Sequence, residues 1–471
     1  MIRMNLELAG VQISPAVTAP LDPDFLPAAL FNQKYRELAV KVGETPLNLA
    51  LQRGDGSRSR YDTFVISPAK GHLEATQIYV ERIVKFLLWQ RGGWRLYIGG
   101  PVEIGNHIKA VYSATGPRKF DVDFMATVYE HPFEVVVTYS DGVPAAAESS
   151  IPLGRHLDGC RVGFDLGASD RKASAVKDGE PVFSEEIVWD PKTAKDPEYH
   201  YQGVLDSIRR AAAHLPRLDA VGGSAAGVYI NNRVRVGSLY RGVSQKDFAQ
   251  KIAPLFLRIR DELGVPMEVV NDGEVTALAG SMSIGENPVL GIALGSSQAA
   301  GYVNRDGNIT DWMNELAFAP VDYRPDGPQD EWSQDCCGAQ YFSQQATNRV
   351  ATGAGMKFPD DMGLPERLVA LQKKMEGDDP LAKKIYETIG TYVGYGVAHY
   401  AGFYELRHVL ILGRVTTGTG GDIILAKSME VLKRDFPELA GKISIALPDE
   451  KNRRVGQSIA AASLPATRGD K

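Results

Sequence analysis

The chain has 471 residues, of which 44% are apolar and 23% charged, and its formal net charge is −6. This length predicts two or three domains, and the acidic balance disfavours a nucleic-acid binder, which needs a basic surface. No apolar stretch approaches the roughly 18 residues of a membrane-spanning helix. The three cysteines, Cys160, Cys336 and Cys337, favour a reducing cytoplasm over a disulfide framework.

The first 158 residues are predicted to form a β-rich α+β region that contains one long helix. Residues 45–70 alternate as two strands around a Gly-Asp-Gly turn, and residues 75–90 carry apolar side chains at helical spacing. Residues 120–142 have the pattern of two further strands. The segment 142–154 has the composition of a linker, which places a domain boundary near residue 158.

After that boundary, strands and helices alternate, which is typical of an α/β fold. The predicted elements are a strand–turn–strand hairpin at 161–176, a helix at 204–215, a buried strand and loop at 220–236, an amphipathic helix at 246–264, a strand at 266–270, a second hairpin at 289–309, helices across 365–405, a strand at 408–413 and a terminal helix at 455–464.

The two hairpins share one form, in which an apolar strand leads into a turn of small residues and a second strand. The turn residues are Gly167, Ala168, Ser169, Gly295, Ser296 and Ser297. Small residues leave backbone N–H groups accessible, so these turns suit phosphate oxygens, although each alone also fits a plain β-hairpin. Asp165 precedes the first turn and is a candidate Mg²⁺ ligand through water, because Mg²⁺ prefers carboxylates and keeps several waters.

An acid stands between a strand and a helix where residues 266–280 read PMEVVNDGEVTALAG. One interpretation of Asp272 is helix capping, because Asp accepts hydrogen bonds from the N–H groups of a first helical turn. The run Asn271-Asp272-Gly273 also fits an ordinary turn. The other interpretation is a catalytic base at the carboxyl end of a strand, where open α/β sheets bind their ligands.

A strand near the C-terminus is followed by a loop rich in Gly and Thr, in the segment HVLILGRVTTGTGGDIIL. Its glycines allow a flat adenine and its ribose to approach the backbone closely, and the segment also fits a plain connection between a strand and a helix. The candidate nucleotide-binding residues of this loop are Gly413, Arg414, Gly420 and Gly421.

The order of these motifs resembles the actin-like ATPase superfamily that includes hexokinase, and more narrowly the ROK family of bacterial sugar kinases and repressors. The resemblance covers about residues 160–465. It implies a two-lobed actin-like (ribonuclease H-like) α/β core behind the N-terminal region. The implied domains are 1–158, 159–278 and 279–471, with the C-terminal helix returning to the first lobe.

The resemblance implies an ATP- and Mg²⁺-dependent phosphotransferase of carbohydrate metabolism that acts on a hydroxyl of a sugar or polyol. Asp272 would be the catalytic base, and Asp165 would hold Mg²⁺ through water. Asn271, Glu315 and Gln344 would bind the substrate, while the two turns and the C-terminal Gly-rich loop would bind ATP. We expect a cytoplasmic homo-oligomer, a dimer, and the charge and apolar pattern predict binding to neither nucleic acid nor membrane.

Several positions depart from the family pattern. Phe318 replaces a His that contacts sugar and zinc, and Gln344 replaces a Glu of the sugar site. In the segment DCCGAQYFSQ, only Cys337 aligns cleanly with the family's zinc motif, and Asp335 and Phe342 hold other ligand positions. Structural zinc needs four soft or imidazole ligands, so no structural zinc is predicted.

The loss of two polar sugar contacts also disfavours ordinary glucose as the substrate. It leaves open a non-catalytic sugar- or nucleotide-binding protein on the kinase scaffold. A ROK-type transcriptional regulator is a further alternative, which the acidic charge and the lack of a basic recognition helix disfavour.

Overall fold

The computed structural model describes residues 5–148, 153–448 and 450–467, and the chain separates into two compact units. Unit 1 consists of Met1–Ser149, Ala293–Ala299 and Asp311–Leu447. Unit 2 consists of Ser150–Ile292, Ala300–Thr310 and Pro448–Lys471. No helix in the described parts of the chain has the length and apolar character needed to cross a membrane.

The N-terminal part of unit 1 is a four-stranded sheet with helices packed against it. Its elements are β1 (Leu6–Leu8), β2 (Val11–Ile13), α1 (Ala28–Val42), β3 (Glu44–Gln52), β4 (Arg58–Ile66), α2 (Leu73–Arg91), β5 (Arg95–Gly99), α3 (Val102–Val111), α4 (Lys119–Tyr129) and β6 (Glu134–Thr138). The sheet has the order β4-β3-β5-β6, in which only the β5–β6 pair is parallel. The predicted hairpin of β3 and β4 and the predicted long helix α2 are confirmed.

The prediction of two strands within residues 120–142 is wrong for its first half. Residues 119–129 form α4, and only residues 134–138 form a strand. The buried side chains of α4 include Val122, Met125 and Val128, which recur every three residues and so share one helical face. The N-terminal region therefore holds several helices rather than one.

Unit 2 is built around a five-stranded sheet. The elements between residues 160 and 303 are β7 (Cys160–Leu166), β8 (Asp170–Lys177), β9 (Glu180–Val188), α5 (Pro197–Ala212), β10 (Ala220–Ala225), β11 (Val228–Ile230), β12 (Arg233–Val236), α6 (Gln245–Asp247), α7 (Leu255–Leu263), β13 (Met267–Asn271), α8 (Asp272–Ile284), β14 (Val289–Leu294) and β15 (Gln298–Val303). The sheet order is β13-β10-β7-β8-β9. Strands β7, β10 and β13 are parallel, so their carboxyl ends share one edge.

The predicted helix over 246–264 is interrupted. A π-helical turn covers Phe248–Ile252, and the regular helix α7 begins only at Leu255. Pro254 lies directly before α7, where its missing N–H costs no helical hydrogen bond, whereas inside one long helix it would break the ladder.

The remaining elements are α9 (Gln344–Gly353), α10 (Leu364–Glu376), α11 (Pro380–Tyr400), β16 (His408–Leu412), α12 (Thr419–Asp435), α13 (Pro437–Ala440), β17 (Ser444–Ala446) and α14 (Glu450–Ala462). A second sheet has the order β15-β14-β16-β17. Within unit 2, α14 packs directly on β7 and β10, because Gly163 and Gly222 carry no side chain. A Cβ at Gly222 would lie 1.7 Å from the carbonyl oxygen of Ala461.

Candidate active site

The candidate catalytic residues of unit 2 lie at the shared edge of its parallel strands. Asp165 is the penultimate residue of β7 and is paired in register with Ser224 of β10. The next residue of β10, Ala225, is paired with Asn271, the last residue of β13. Asp272 follows at once as the first residue of α8. The structure therefore brings Asp165, Asn271 and Asp272 to the edge where open α/β sheets bind ligands.

Ser224 holds the carboxylate of Asp165 in place. Its hydroxyl donates to Oδ1 of Asp165 at 2.8 Å. Burial raises the pKa of Asp165, and the charge of Asp170 adds to this effect, while the hydrogen bond from Ser224 and the charge of Lys172 oppose it. Sequence reasoning missed Ser224, although its place at the end of the VGGSA strand next to the acid hairpin was a usable signal.

Asn271 caps the helix that follows it. Its side-chain Oδ1 accepts from the N–H of Gly273 at 2.7 Å, and its Nδ2 donates to the carbonyl of Gly227 at 2.8 Å. The capping interpretation of this segment thus applies first to Asn271 rather than to Asp272. An Asn amide has two N–H groups and two lone pairs, so one of each is left for the predicted substrate contact.

Asp272 is partly buried and is adapted to hold a proton. One carboxylate oxygen accepts from the N–H of Gly273 at 3.0 Å. Burial and the nearby charge of Asp165 together raise the pKa of Asp272 to about 6, against an ordinary value of 3.8. A carboxylate with such a pKa can accept and release a proton near neutral pH, as a general base must.

Gly273 is required by close packing rather than by a turn. A Cβ at Gly273 would lie 2.2 Å from the carbonyl oxygen of Ala300, and a Cβ at Gly301 would lie 2.1 Å from the carbonyl oxygen of Gly273. The backbone of α8 therefore touches the backbone of β15 immediately after Asp272. This contact fixes the position from which the Asp272 side chain projects.

In each of the two predicted phosphate turns, the N–H of the glycine is hydrogen-bonded within the turn, and the residues at the tip are exposed. The N–H of Gly167 donates to the carbonyl of Asp170, and the N–H of Gly295 donates to the carbonyl of Ser297. The tip residues that stay exposed are Ala168, Ser169, Ser296 and Ser297. These turns belong to different units, the first to unit 2 and the second to unit 1.

Two predicted substrate residues lie in unit 1. Gln344 begins α9 and is buried, and its N–H donates to the carbonyl of Gly295, which places it beside the second turn. Its side-chain Oε1 is buried with no hydrogen-bond partner among the described residues. Glu315 is half-buried, and its N–H donates to the carbonyl of Trp89 at 2.9 Å.

The glycines of the C-terminal loop are explained in part by packing. Gly413 has φ +99°, and a Cβ there would lie 2.3 Å from the carbonyl oxygen of Leu294. A Cβ at Gly420 would lie 2.4 Å from the ring of Tyr386, and one at Gly421 would lie 2.1 Å from the carbonyl oxygen of Thr416. Arg414 is exposed. A nucleotide role for this loop stays a prediction.

In unit 1, the segment that departs from the family's zinc motif is held by ion pairs. The carboxylate of Asp335 accepts from Arg82 at 2.7 Å and from Arg118 at 2.6 Å. Glu81 contacts both guanidinium groups as well. Burial alone would raise the pKa of Asp335, but the two arginines hold it well below its ordinary value. Sequence reasoning recorded Asp335 only as a lost ligand and missed its arginine partners.

The adjacent thiols of Cys336 and Cys337 are both buried. The Cys336 thiol lies 3.3 Å from the carbonyl of Arg324, and the Cys337 thiol lies 3.6 Å from the carboxylate of Asp330. Burial raises the pKa of Cys336 to about 12 and that of Cys337 higher still. Among the residues that the structure describes, no three His, Cys, Asp or Glu side chains are grouped to hold a metal ion.

Comparison with known proteins identifies the fold. The sequence matches no family model and no curated protein. The solved structures that match include two ROK proteins with a TM-score of 0.50. A ROK hexokinase from Thermus thermophilus is 19% identical over 64% of this chain and 97% of its own. A ROK family transcriptional regulator homologous to the E. coli MLC protein is 18% identical over 69% of this chain and 82% of its own.

These likenesses establish the fold. About two-thirds of the chain has the mixed α/β fold of these ROK proteins, which confirms the predicted fold class. At identities below 20% they do not decide between the hexokinase and the regulator as a guide to activity.

Proposed function

We propose that the chain is a ROK family phosphotransferase that moves the γ-phosphoryl group of ATP to a hydroxyl of a sugar or related polyol. The observation that supports this most is the pair Asp165 and Asp272 at the carboxyl edge of the parallel strands β7, β10 and β13. Burial, and after it the charge of Asp165, raises the pKa of Asp272 to about 6. Such a perturbed pair at a sheet edge is typical of a catalytic site.

The chemistry required of the protein is limited. The substrate oxygen attacks the γ-phosphorus and forms a new P–O bond. The bond between the γ-phosphorus and the oxygen that bridges to the β-phosphate breaks, and ADP leaves. Asp272 accepts the proton of the attacking hydroxyl, and Asn271 fixes the start of the helix that carries it. Since phosphoryl transfer depends mainly on positioning and charge stabilisation, the side chains need only align the attacking hydroxyl, accept its proton and hold the charged groups in place.

The site fits a magnesium ion by its donor set. Asp165, fixed by Ser224, would hold the ion through water, because Mg²⁺ binds to one or two carboxylates and completes its shell with waters and substrate phosphates. When bound, the ion neutralises negative charge on the phosphates. The assignment of ATP to the two exposed turns and the C-terminal Gly-rich loop rests on the order of these motifs along the chain.

The altered residues of the predicted sugar site also fit a second candidate function, that of a non-catalytic sugar- or nucleotide-binding protein. Gln344 is buried, Phe318 is half-buried against Trp89, and both differ from the family's Glu and His. Such a protein would bind ATP or a sugar without turnover. Turnover of the wild-type protein, measured beside its binding of ATP and sugars, therefore separates the two functions.

The test is Asp272→Asn, which keeps the shape of the side chain but cannot accept a proton at neutral pH. The variant should bind Mg-ATP as the wild type does and lose phosphoryl transfer by about 10²–10⁴-fold. Turnover is measured as ADP release over a panel of sugars and polyols. The rate of the wild type, as kcat/KM, should fall below about pH 6 as Asp272 takes up a proton.

Asp206→Asn is the matched control, since it removes a half-exposed carboxylate of unit 2 that pairs with Arg171 and has no assigned role in the site. It should keep most of its activity. Normal turnover in a folded Asp272→Asn protein would exclude Asp272 as the base. If ATP produces no thermal shift and protects none of the three loops from hydrogen exchange, the kinase proposal itself is wrong.

A further inference from the structure

The side chain of Lys172 lies at the same edge of unit 2 as the candidate catalytic carboxylates and has no part in the proposed proton transfer. Lys172 of β8 is the register partner of Asp165 of β7. Directly opposed residues of an antiparallel pair project from the same face of the sheet, with Cβ atoms about 4.5–5.5 Å apart. In agreement, burial raises the pKa of Asp165 and the charge of Lys172 opposes that rise. Lys172 therefore places a positive charge beside Asp165.

The preceding residue, Arg171, serves a different part of the molecule. Successive side chains of a strand point to opposite faces of its sheet. The guanidinium group of Arg171 donates to the carbonyl of Gly203 and to the carboxylate of Asp206, which are both on α5. Arg171 thus holds α5 against the sheet, whereas the Lys172 side chain lies on the face of Asp165 and is 33% exposed.

The carboxylate of Asp170 holds two donors beside the exposed tip of the first turn. One of its oxygens accepts from the ammonium of Lys172 at 3.1 Å, and the other accepts from the hydroxyl of Ser169 at 3.0 Å. An ammonium has three N–H groups, so Lys172 keeps donors for a second anion. An ion pair as accessible as this one adds little to stability, so its carboxylate can be exchanged for another anion at small cost.

The first turn is fixed in shape by Trp189, which is itself buried. The indole N–H of Trp189 donates to the carbonyl of Gly167 at 2.9 Å, and its peptide N–H donates to the carbonyl of Ser169 at 3.1 Å. Two carbonyl oxygens, which would repel a phosphate, are thereby directed toward Trp189 rather than toward the tip. The hydroxyl of Ser169 and the ammonium of Lys172 are the side-chain donors held beside that tip.

We propose that Lys172 is a phosphate ligand of the nucleotide site, and that Asp170 holds Lys172 and Ser169 until a phosphate of ATP takes the place of the carboxylate. The proposal rests on the proposed function, because it takes ATP as the nucleotide. Carboxylate and phosphate oxygens accept the same charge-assisted hydrogen bonds from an ammonium. Asp170 therefore competes with the phosphate, and the two residues of this ion pair act on nucleotide binding in opposite directions.

The test measures the dissociation constant of Mg-ATP by calorimetry, without a sugar or polyol, so that no turnover is needed. Lys172→Met should weaken binding about tenfold, as expected for the loss of one charge-assisted hydrogen bond. Lys172→Arg should restore most of the affinity, because it keeps the positive charge. Asp170→Asn should tighten binding by up to about fivefold, because it removes the competing charge.

Lys177→Met is the matched control. Lys177 lies on the same strand as Lys172, is exposed, and is paired in register with Cys160 at the other end of β7. Its variant should bind Mg-ATP as the wild type does. The melting temperature of each variant is measured in parallel, and damage to the fold cannot produce the tighter binding expected of Asp170→Asn.

Binding by the wild type distinguishes a failure of this proposal from a failure of the proposed function. If the wild type binds no Mg-ATP, the kinase proposal is wrong and this one falls with it. If the wild type and Lys172→Met bind Mg-ATP equally well, Lys172 is only the ion-pair partner of Asp170, and this proposal alone is wrong. It is also wrong if Asp170→Asn weakens binding as Lys172→Met does, because the ion pair would then only maintain the shape of the turn.

Discussion

Two partly buried carboxylates show how the same side chain is used in opposite ways in the two units. Burial, together with the charge of another acid, Asp165, raises the pKa of Asp272 in unit 2 to about 6. Asp335 in unit 1 contacts Arg82 and Arg118, and its pKa is held below its ordinary value. One group is arranged to exchange a proton, and the other is arranged to stay charged.

The difference lies in the cations within reach. The interior disfavours a charged carboxylate in both places, and only the arginines near Asp335 compensate for that cost. A folded protein can retain an acid with a raised pKa where exchange of its proton serves the function, as at many active sites. An acid whose pKa is lowered by two guanidinium groups instead links parts of the chain that are distant in sequence. Here these parts are α2, the start of α4 and the 330–337 segment.

The largest effect on stability is expected from Asp335→Asn. The loss of a charge from a buried ion pair typically costs 3–5 kcal/mol, and Glu81 stays as a partner of both arginines. We therefore expect a loss of about 3 kcal/mol at pH 7 in denaturant unfolding. Because the pKa of Asp335 is lowered in the folded state, this contribution is present above its ordinary pKa and is lost only as the pH falls well below it.

Asp123→Asn is the matched control for that variant. Asp123 pairs with Lys119 four residues earlier on α4, with both side chains more than half exposed. An exposed pair of this kind contributes about 0.3–0.5 kcal/mol. Equal losses in the two variants would contradict a special role for the arginine contacts of Asp335.

Sequence patterns predicted the elements whose cause is local. The alternation around Gly-Asp-Gly, the helical period of α2 and the strand–Asn-Asp–helix order all appear in the structure. The helix α4 was missed because Phe120, Val122 and Phe124 also alternate with polar residues, and only burial decides between the two periods.

Contacts between distant residues were beyond the reach of one sequence. The partner of Asp165 is Ser224, 59 positions away, and the partner of Asp335 is Arg82, 253 positions away. Gly273 illustrates the same limit, since it was taken for turn punctuation but is required by contact with Ala300. Residue types at strand ends therefore indicated where the candidate site lies, while the groups that tune it came only from the fold.

The second prediction concerns the stability of the Asp272→Asn variant as a function of pH. The folded pKa of about 6 exceeds the ordinary 3.8, so the folded state binds more protons between these values and stability falls as the pH rises through them. The variant removes this cost. It should be more stable than the wild type by about 1–3 kcal/mol at pH 8, and the gain should vanish near pH 4.

The sign of this change distinguishes the two carboxylates. At pH 8, Asp272→Asn should raise the melting temperature, whereas Asp335→Asn should lower it. A destabilised Asp272→Asn protein at pH 8 would mean that Asp272 serves mainly as a structural hydrogen-bond acceptor for Gly273.

The smallest expected effect is that of metal removal on unit 1. Zinc binds thiolates, but burial raises the pKa of Cys336 to about 12, which favours the neutral thiol. The carboxylate of Asp335 is already bound by two arginines. Elemental analysis should therefore find far less than one zinc per chain, and a chelator should leave the melting temperature unchanged. Stoichiometric zinc that is lost in Cys337→Ser, but kept in the control Cys160→Ser, would show that this segment is a metal site after all and that the arginine contacts only supplement it.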